Sequence, residues 1–67
     1  MIQVTVNGQS YEVPPGTTIL ALLQTASVPE NYLAVEVNAD VVPRSLLASH
    51  PIEAGDVIEV VTLVGGG

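Results

Sequence analysis

The chain has 67 residues, enough for one small domain and too few for a second. Hydrophobic residues make up 48% of it and charged residues 12%, which excludes a disordered acidic tail. Seven acidic residues and one basic residue, Arg44, give a formal charge of −6. We therefore expect no nucleic-acid partner and no acidic membrane surface, and we expect any charge-steered partner to be basic.

The chain contains no cysteine, so it offers no disulfide, no thiol nucleophile and no Cys-ligated metal. Its longest strongly apolar stretch, residues 19–23, is far shorter than the roughly 20 residues that a bilayer span requires. Met1 is followed by no basic segment of the kind that begins a signal peptide. These features predict a soluble, cytoplasmic protein.

The first third of the chain predicts a β-hairpin. Residues 2–7 alternate, with Ile2, Val4 and Val6 on one face, which is typical of a half-buried strand. Asn7-Gly8 tolerates the positive φ angles of a tight turn, and alternation resumes with Tyr11 and Val13. The two strands should therefore pair in an antiparallel hairpin.

A single main helix should follow the hairpin. Pro14-Pro15-Gly16 cannot continue a strand ladder, and Thr17 or Thr18 can cap a helix that runs to about Ala26. Pro29 disfavours helical geometry in the residue before it and so limits the helix. One helical face carries the apolar side chains Ile19, Leu22, Leu23 and Ala26.

The second half predicts three more strands. Leu33, Val35 and Val37 alternate with polar or small residues in a third strand, and a turn at residues 39–40 leads to a short strand at residues 41–42. One helical turn is expected within residues 45–50, a turn at residues 54–56, and a long, central last strand over residues 57–64. The helix must cross the sheet, which predicts an α+β fold with a mixed sheet of four to five strands packed on one helix.

The most informative motif is the terminal Gly-Gly-Gly at residues 65–67, which chance would produce in about one chain in 3,000. We expect residues 1–64 to form the domain and residues 65–67 to form a flexible tail, since glycine loses the most entropy on ordering. Such a tail can be a mere frayed end. It can also present an α-carboxylate that becomes electrophilic when AMP is transferred to it, while the absence of side chains lets it enter a narrow channel.

Several short motifs, in this order and spacing, resemble those of the ThiS sulfur carrier proteins of thiamine biosynthesis, a family with the ubiquitin-like β-grasp fold. The matching segments are Val6-Asn7-Gly8, Thr17-Thr18-Ile19 with Leu22-Leu23, Ala34-Val35-Glu36-Val37-Asn38, Val42-Pro43-Arg44, Gly55-Asp56-Val57-Ile58-Glu59-Val60-Val61 and Val64-Gly65-Gly66-Gly67. No single segment is specific, but together they cover the whole chain.

The resemblance implies that a ThiF-like enzyme, using ATP and magnesium, adenylates the carboxylate of Gly67 behind the tail glycines Gly65 and Gly66. A persulfide donor such as a cysteine desulfurase would then convert it to a thiocarboxylate, and a ThiG-like thiazole synthase would take the sulfur for thiazole formation. On this interpretation the chain is a protein cosubstrate and not an enzyme, with no catalytic residue, metal or bound cofactor of its own.

Other functions remain open at this point. A molybdopterin-type carrier shares the fold, tail and chemistry, although such carriers are usually longer. A carrier for another pathway and a plain interaction module are further alternatives. A ubiquitin-like modifier also needs a diglycine end, but the chain has no lysine on which to build chains of itself.

Three residues are candidates for partner binding. If Ile58 faces the helix, Val61 and Leu63 point the other way and expose apolar area beside the tail, unless the loop around residues 40–52 covers them. Arg44 is either a solvated surface cation or a contact to a partner's carboxylate. His50 has no second ligand at useful spacing, so we expect no metal or acid–base role for it.

Overall fold

The computed structural model describes residues 1–62, which form five strands, one α-helix and one short 3₁₀ turn. The predicted last residues of the final strand, the predicted domain boundary at residue 64 and the predicted tail at residues 65–67 lie outside this range. In chain order, the elements are β1 (Ile2–Val6), β2 (Gln9–Val13), α1 (Ile19–Thr25), β3 (Tyr32–Val37), β4 (Asp40–Val42), the 3₁₀ turn (Arg44–Leu46) and β5 (Val57–Thr62).

The strands form one mixed sheet in the order β2-β1-β5-β3-β4. The pairing of β1 with β5 is parallel, and the other three pairings are antiparallel. This arrangement confirms the predicted mixed sheet and the central position of the last strand. A parallel pairing of β1 with β5 requires the chain to cross over the sheet, and α1 lies in that crossover.

The β1–β2 hairpin forms as the Asn7-Gly8 pair predicts. Asn7 has a φ of 50° and Gly8 a φ of 84°, which are the left-handed angles of a two-residue hairpin turn. The strands pair from Ile2 opposite Val13 to Val6 opposite Gln9. Val4, Val6 and Val13 are buried on the helix-facing side, so the alternation read from the sequence places the inward residues correctly.

The start of α1 is held by one side chain and two loop carbonyls. Thr18 is the N-cap, and its Oγ1 accepts a hydrogen bond from the amide of Ala21 at 3.2 Å. The amide of Ile19 donates to the carbonyl of His50, and that of Leu20 donates to the carbonyl of Leu47, both at 2.9 Å. The loop after the 3₁₀ turn thus satisfies helix amides that have no partner within the helix.

The prediction for Leu33 is wrong. Alternation placed Leu33 inward with Val35 and Val37, but Leu33 is 61% exposed and Tyr32 is buried in its place. The cause is an irregularity in the pairing of β3 with β5, where Tyr32 lies opposite Thr62 and Ala34 lies opposite Val61. Three residues of β3 therefore lie opposite two of β5. The extra residue interrupts the alternation of inward and outward side chains along β3.

The core lies between α1 and one face of the sheet, with the loop before β5 closing one side. The helix residues Ile19, Leu22 and Leu23 are essentially fully buried, as is Ile58 of the central strand. The buried apolar residues are Val4, Val6, Val13, Ile19, Leu22, Leu23, Tyr32, Val35, Val37, Val42, Leu47, Ile52 and Ile58.

Within residues 1–62, no helix is long and apolar enough to cross a membrane.

Candidate functional site

The outer face of the sheet is the face opposite α1. It includes the outward residues of β5, the last described strand before the predicted tail. In β5, Ile58 is 0% exposed against the helix, whereas Val61 is 42% exposed on the outer face. This confirms that Val61 points away from the core and excludes burial under the loop around residues 40–52. Leu63, the other residue predicted there, lies outside the described residues.

Further apolar side chains surround Val61 on this face. Ala34 of β3 lies directly opposite Val61, and Leu33 precedes it. Val57, four residues before Val61 on the same side of β5, is 45% exposed, and Val41 of the edge strand is 63% exposed. Exposed apolar side chains grouped on one sheet face, next to the end of the central strand, are typical of a protein-docking surface.

Two carboxylates interrupt this apolar surface. Glu36 of β3 lies directly opposite Glu59 of β5, and Val41 of β4 lies on the other side of Glu36. Side chains that are directly opposite in an antiparallel pair project from the same face. The outer face therefore combines apolar side chains with a pair of like charges at its centre.

Arg44 contacts its own chain. Its guanidinium donates hydrogen bonds to the carbonyls of Tyr32 and Glu30, and its Cζ lies 4.5 Å from the centroid of the Tyr32 ring. A small cavity of about 140 Å³ adjoins this contact and is lined mainly by apolar residues of β3 and β4. The structure thus gives Arg44 a part in joining the 3₁₀ turn to the start of β3, and its predicted contact to a partner stays a prediction.

Two further polar residues, Asp56 and His50, make structural contacts. Asp56 accepts a hydrogen bond from the amide of Glu53 at 2.8 Å and another from Asn38 at 3.0 Å, as expected of a short acceptor beside a turn. His50 is partly buried and contributes its carbonyl to the start of the helix. In the described part of the chain, no three His, Asp or Glu side chains are grouped so as to hold a metal ion.

Sequence reasoning missed two features of this surface, namely the exposure of Leu33 and the juxtaposition of Glu36 with Glu59. Alternation places both glutamates on the outer face, but it gives no register between strands that are about 20 residues apart. A register prediction for β3 against β5 would have revealed the pair.

The sheet order, the single crossing helix and the outer apolar surface at the end of the central strand define a β-grasp domain. A crystal structure of the thiamine biosynthesis protein ThiS from Geobacter metallireducens superimposes with a TM-score of 0.78 at 29% identity, covering 98% of this chain and 100% of that one. The chain belongs to the ThiS family, whose model matches residues 4–67. The predicted fold and family are therefore confirmed.

Curated relatives cover nearly all of the chain. It is 29% identical over 66 residues to the sulfur carrier protein ThiS of Escherichia coli, with 98% of this chain and 100% of that protein covered. It is 33% identical over 66 residues to a thiazole synthase of Paramagnetospirillum magneticum, with 98% of this chain covered. The chain spans only 20% of that thiazole synthase and 20% of a second one, from Magnetococcus marinus.

Proposed function

We propose that the chain is a sulfur carrier of thiamine biosynthesis, a protein cosubstrate that has no catalytic residue of its own. The observation that carries the proposal is the family match over residues 4–67, which includes both the β-grasp domain and the predicted glycine tail. The similarity to the full length of the Escherichia coli sulfur carrier protein ThiS supports it.

In the proposed chemistry, the reacting group is the α-carboxylate of Gly67. One carboxylate oxygen attacks the α-phosphorus of ATP on a ThiF-like enzyme, pyrophosphate leaves, and the carbonyl carbon becomes electrophilic. The terminal sulfur of a persulfide, supplied by a donor such as a cysteine desulfurase, then displaces AMP. The carrier then ends in an acyl disulfide, held by the new C–S bond. A second thiol attacks the cysteine sulfur of its S–S bond, forms a disulfide with that cysteine and leaves the thiocarboxylate on the carrier.

The recipient would be a ThiG-like thiazole synthase. The similarity of this chain to part of two proteins named thiazole synthase favours this recipient over a molybdopterin synthase. ATP and magnesium belong to the activating enzyme, so the carrier itself binds no cofactor. The need for ATP and for a persulfide is consistent with the predicted cytoplasmic location.

Docking would use the outer face of the sheet. Val61 and Leu63 would contact the activating enzyme, and their position next to residues 65–67 would direct the tail into its active site. Glycines suit residues 65–67 because a backbone without Cβ atoms can pass through a narrow channel. Arg44 would add a contact to a carboxylate of a partner.

A two-stage reconstitution tests this function. The carrier is first incubated with a ThiF-like enzyme, ATP, magnesium and a persulfide donor, and intact mass should show one oxygen replaced by sulfur. The loaded carrier is then divided between a thiazole synthase with its other substrates and a molybdopterin synthase large subunit with its substrate. We expect the carrier to lose its sulfur in the reaction with the thiazole synthase and to keep it in the reaction with the molybdopterin synthase subunit. Loss only with the second enzyme would assign the carrier to the other pathway, and failure to load would contradict sulfur carriage.

A further inference from the structure

The carboxylate pair at the centre of the outer face has no evident benefit for folding. Glu36 and Glu59 are directly opposite in the pairing of β3 with β5, and each of these strands has a neighbouring strand on both sides. Like charges that are directly opposite on one face destabilise a sheet, whereas opposite charges would stabilise it. We therefore expect a pair of like charges at this position to lower the stability of the free protein.

The cation of the described chain lies elsewhere. The Arg44 guanidinium donates to the carbonyls of Tyr32 and Glu30 and lies against the Tyr32 ring. Its contacts therefore lie at the start of β3, where Tyr32 is four residues along the strand from Glu36. Attraction to a cation of this chain does not account for the two glutamates.

The surface between the glutamates is concave and bordered by apolar groups. A groove of about 320 Å³ is lined by Glu36, Glu59, Val57, Ala39 and Asn38. Val57 is 45% exposed beside this groove, and Val61, on the far side of Glu59, is 42% exposed. A groove of this kind can hold the end of one long side chain, and the apolar border would exclude water around it in a complex.

From this geometry we propose that the Glu36–Glu59 pair receives a single cationic side chain, an arginine or a lysine, from the adenylating enzyme. The inference rests on the proposed function and adds the chemistry by which that enzyme is recognised. A guanidinium or ammonium between two carboxylates replaces their repulsion with two attractive contacts. The net charge of −6 would attract the same basic surface from a distance.

The proposal predicts opposite effects on stability and on binding, which a purely structural role of the glutamates would not produce. Glu36→Gln and Glu59→Gln each remove the repulsion while keeping side-chain size, so each should raise the Tm by about 2–5 °C. Because the repulsion can be removed only once, the double variant should gain little beyond either single variant. Each single variant should weaken binding to the adenylating enzyme by about tenfold or more.

The matched control is Glu12→Gln. Glu12 is an exposed glutamate of the edge strand β2, opposite Gln3 and two strands from β5, so this variant makes the same change in net charge away from the Glu36–Glu59 pair. Calorimetry gives the Tm values, and titration with a ThiF-like enzyme gives the Kd values. Sulfur loading followed by intact mass gives KM and kcat for each carrier. The two test variants should raise KM and leave kcat at the wild-type value, while the control should change neither by more than about twofold.

Three results would overturn the proposal. These are unchanged binding of both test variants, equal weakening by the Glu12→Gln control, and a lower Tm for both test variants. If the wild type loads sulfur and the test variants load with an unchanged KM, only the cationic contact is rejected and the sulfur carrier function stands. If the wild type neither binds the enzyme nor gains sulfur, both proposals fail.

Discussion

The guanidinium of Arg44 stacks on the ring of Tyr32, with its Cζ 4.5 Å from the ring centroid, and also donates to the Tyr32 carbonyl. Tyr32 is the first residue of β3 and lies opposite Thr62, the last described residue of β5. Arg44 therefore supports the rung of the sheet from which the chain continues towards Leu63 and the glycines.

The first prediction is that Arg44→Ala lowers the free energy of unfolding by about 1–2 kcal/mol, since it removes the stacking and the donor to Tyr32. Arg44→Lys keeps the charge but loses the planar guanidinium, so its free energy of unfolding should fall by less than that of Arg44→Ala. Urea denaturation of both variants measures these values. Full stability of Arg44→Ala would show that the contact contributes nothing to folding and would favour the partner contact as the role of Arg44.

The second prediction concerns the docking surface. Val61→Asp should weaken binding to the activating enzyme by about tenfold or more, because an unpaired charge buried in an interface costs several kcal/mol. Its Tm should change by only a few degrees, since Val61 is 42% exposed in the free protein. Leu63→Asp, beyond the described residues, should have the same effect on binding.

Two controls accompany Val61→Asp. Ser10→Asp adds a charge to an exposed position of the edge strand β2, two strands from β5, and should preserve both Tm and binding. Ile58→Asp places the charge in the core and should prevent folding, because Ile58 is 0% exposed. If Val61→Asp binds as well as the wild type, the docking surface lies on another part of the domain.

The third prediction tests the turn between β3 and β4. Asn38 and Ala39 have φ angles of 52° and 74°, so an alanine occupies a left-handed position of a two-residue hairpin turn. Ala39→Gly removes the conflict with Cβ and creates the Asn-Gly pair that the β1–β2 hairpin already uses. Its free energy of unfolding should rise by about 0.5–1 kcal/mol.

The control for this turn is Ala54→Gly. Ala54 is also in an exposed turn but has no positive φ, so glycine there should leave stability unchanged or lower it. Thermal denaturation compares the two variants with the wild type. A loss of stability in Ala39→Gly would mean that the left-handed turn is not the conformation in solution.

The sequence predicted those parts of the fold that local patterns determine. Alternation located the inward residues of β1, Asn7-Gly8 located the first turn, and the threonines located the start of α1. Leu33 was misplaced because the bulge between Tyr32 and Ala34 arises from the pairing with β5, which no local pattern records.

The same distinction between local patterns and strand pairing applies to the candidate site. The outward direction of Val61 follows from the period of a strand, so the sequence predicted it correctly. The partners of Arg44 and the opposition of Glu36 and Glu59 depend on which strands pair and in what register. Those relationships join residues distant in the chain, and only the folded structure shows them.

The last prediction concerns the central claim, that function resides in the carboxylate of Gly67. Deletion of Gly67, or addition of one alanine after it, should leave the Tm nearly unchanged, because terminal residues contribute little to folding. The alanine extension is the sharper variant, since it keeps every residue of the domain and only moves the carboxylate relative to the docked surface.

The measurement is the intact mass of wild type and both variants after incubation with a ThiF-like enzyme, ATP, magnesium and a persulfide donor. The wild type should replace one carboxylate oxygen with sulfur, and neither variant should do so. Sulfur loading of the extended variant at the wild-type rate would contradict the claim that the position of the Gly67 carboxylate determines function.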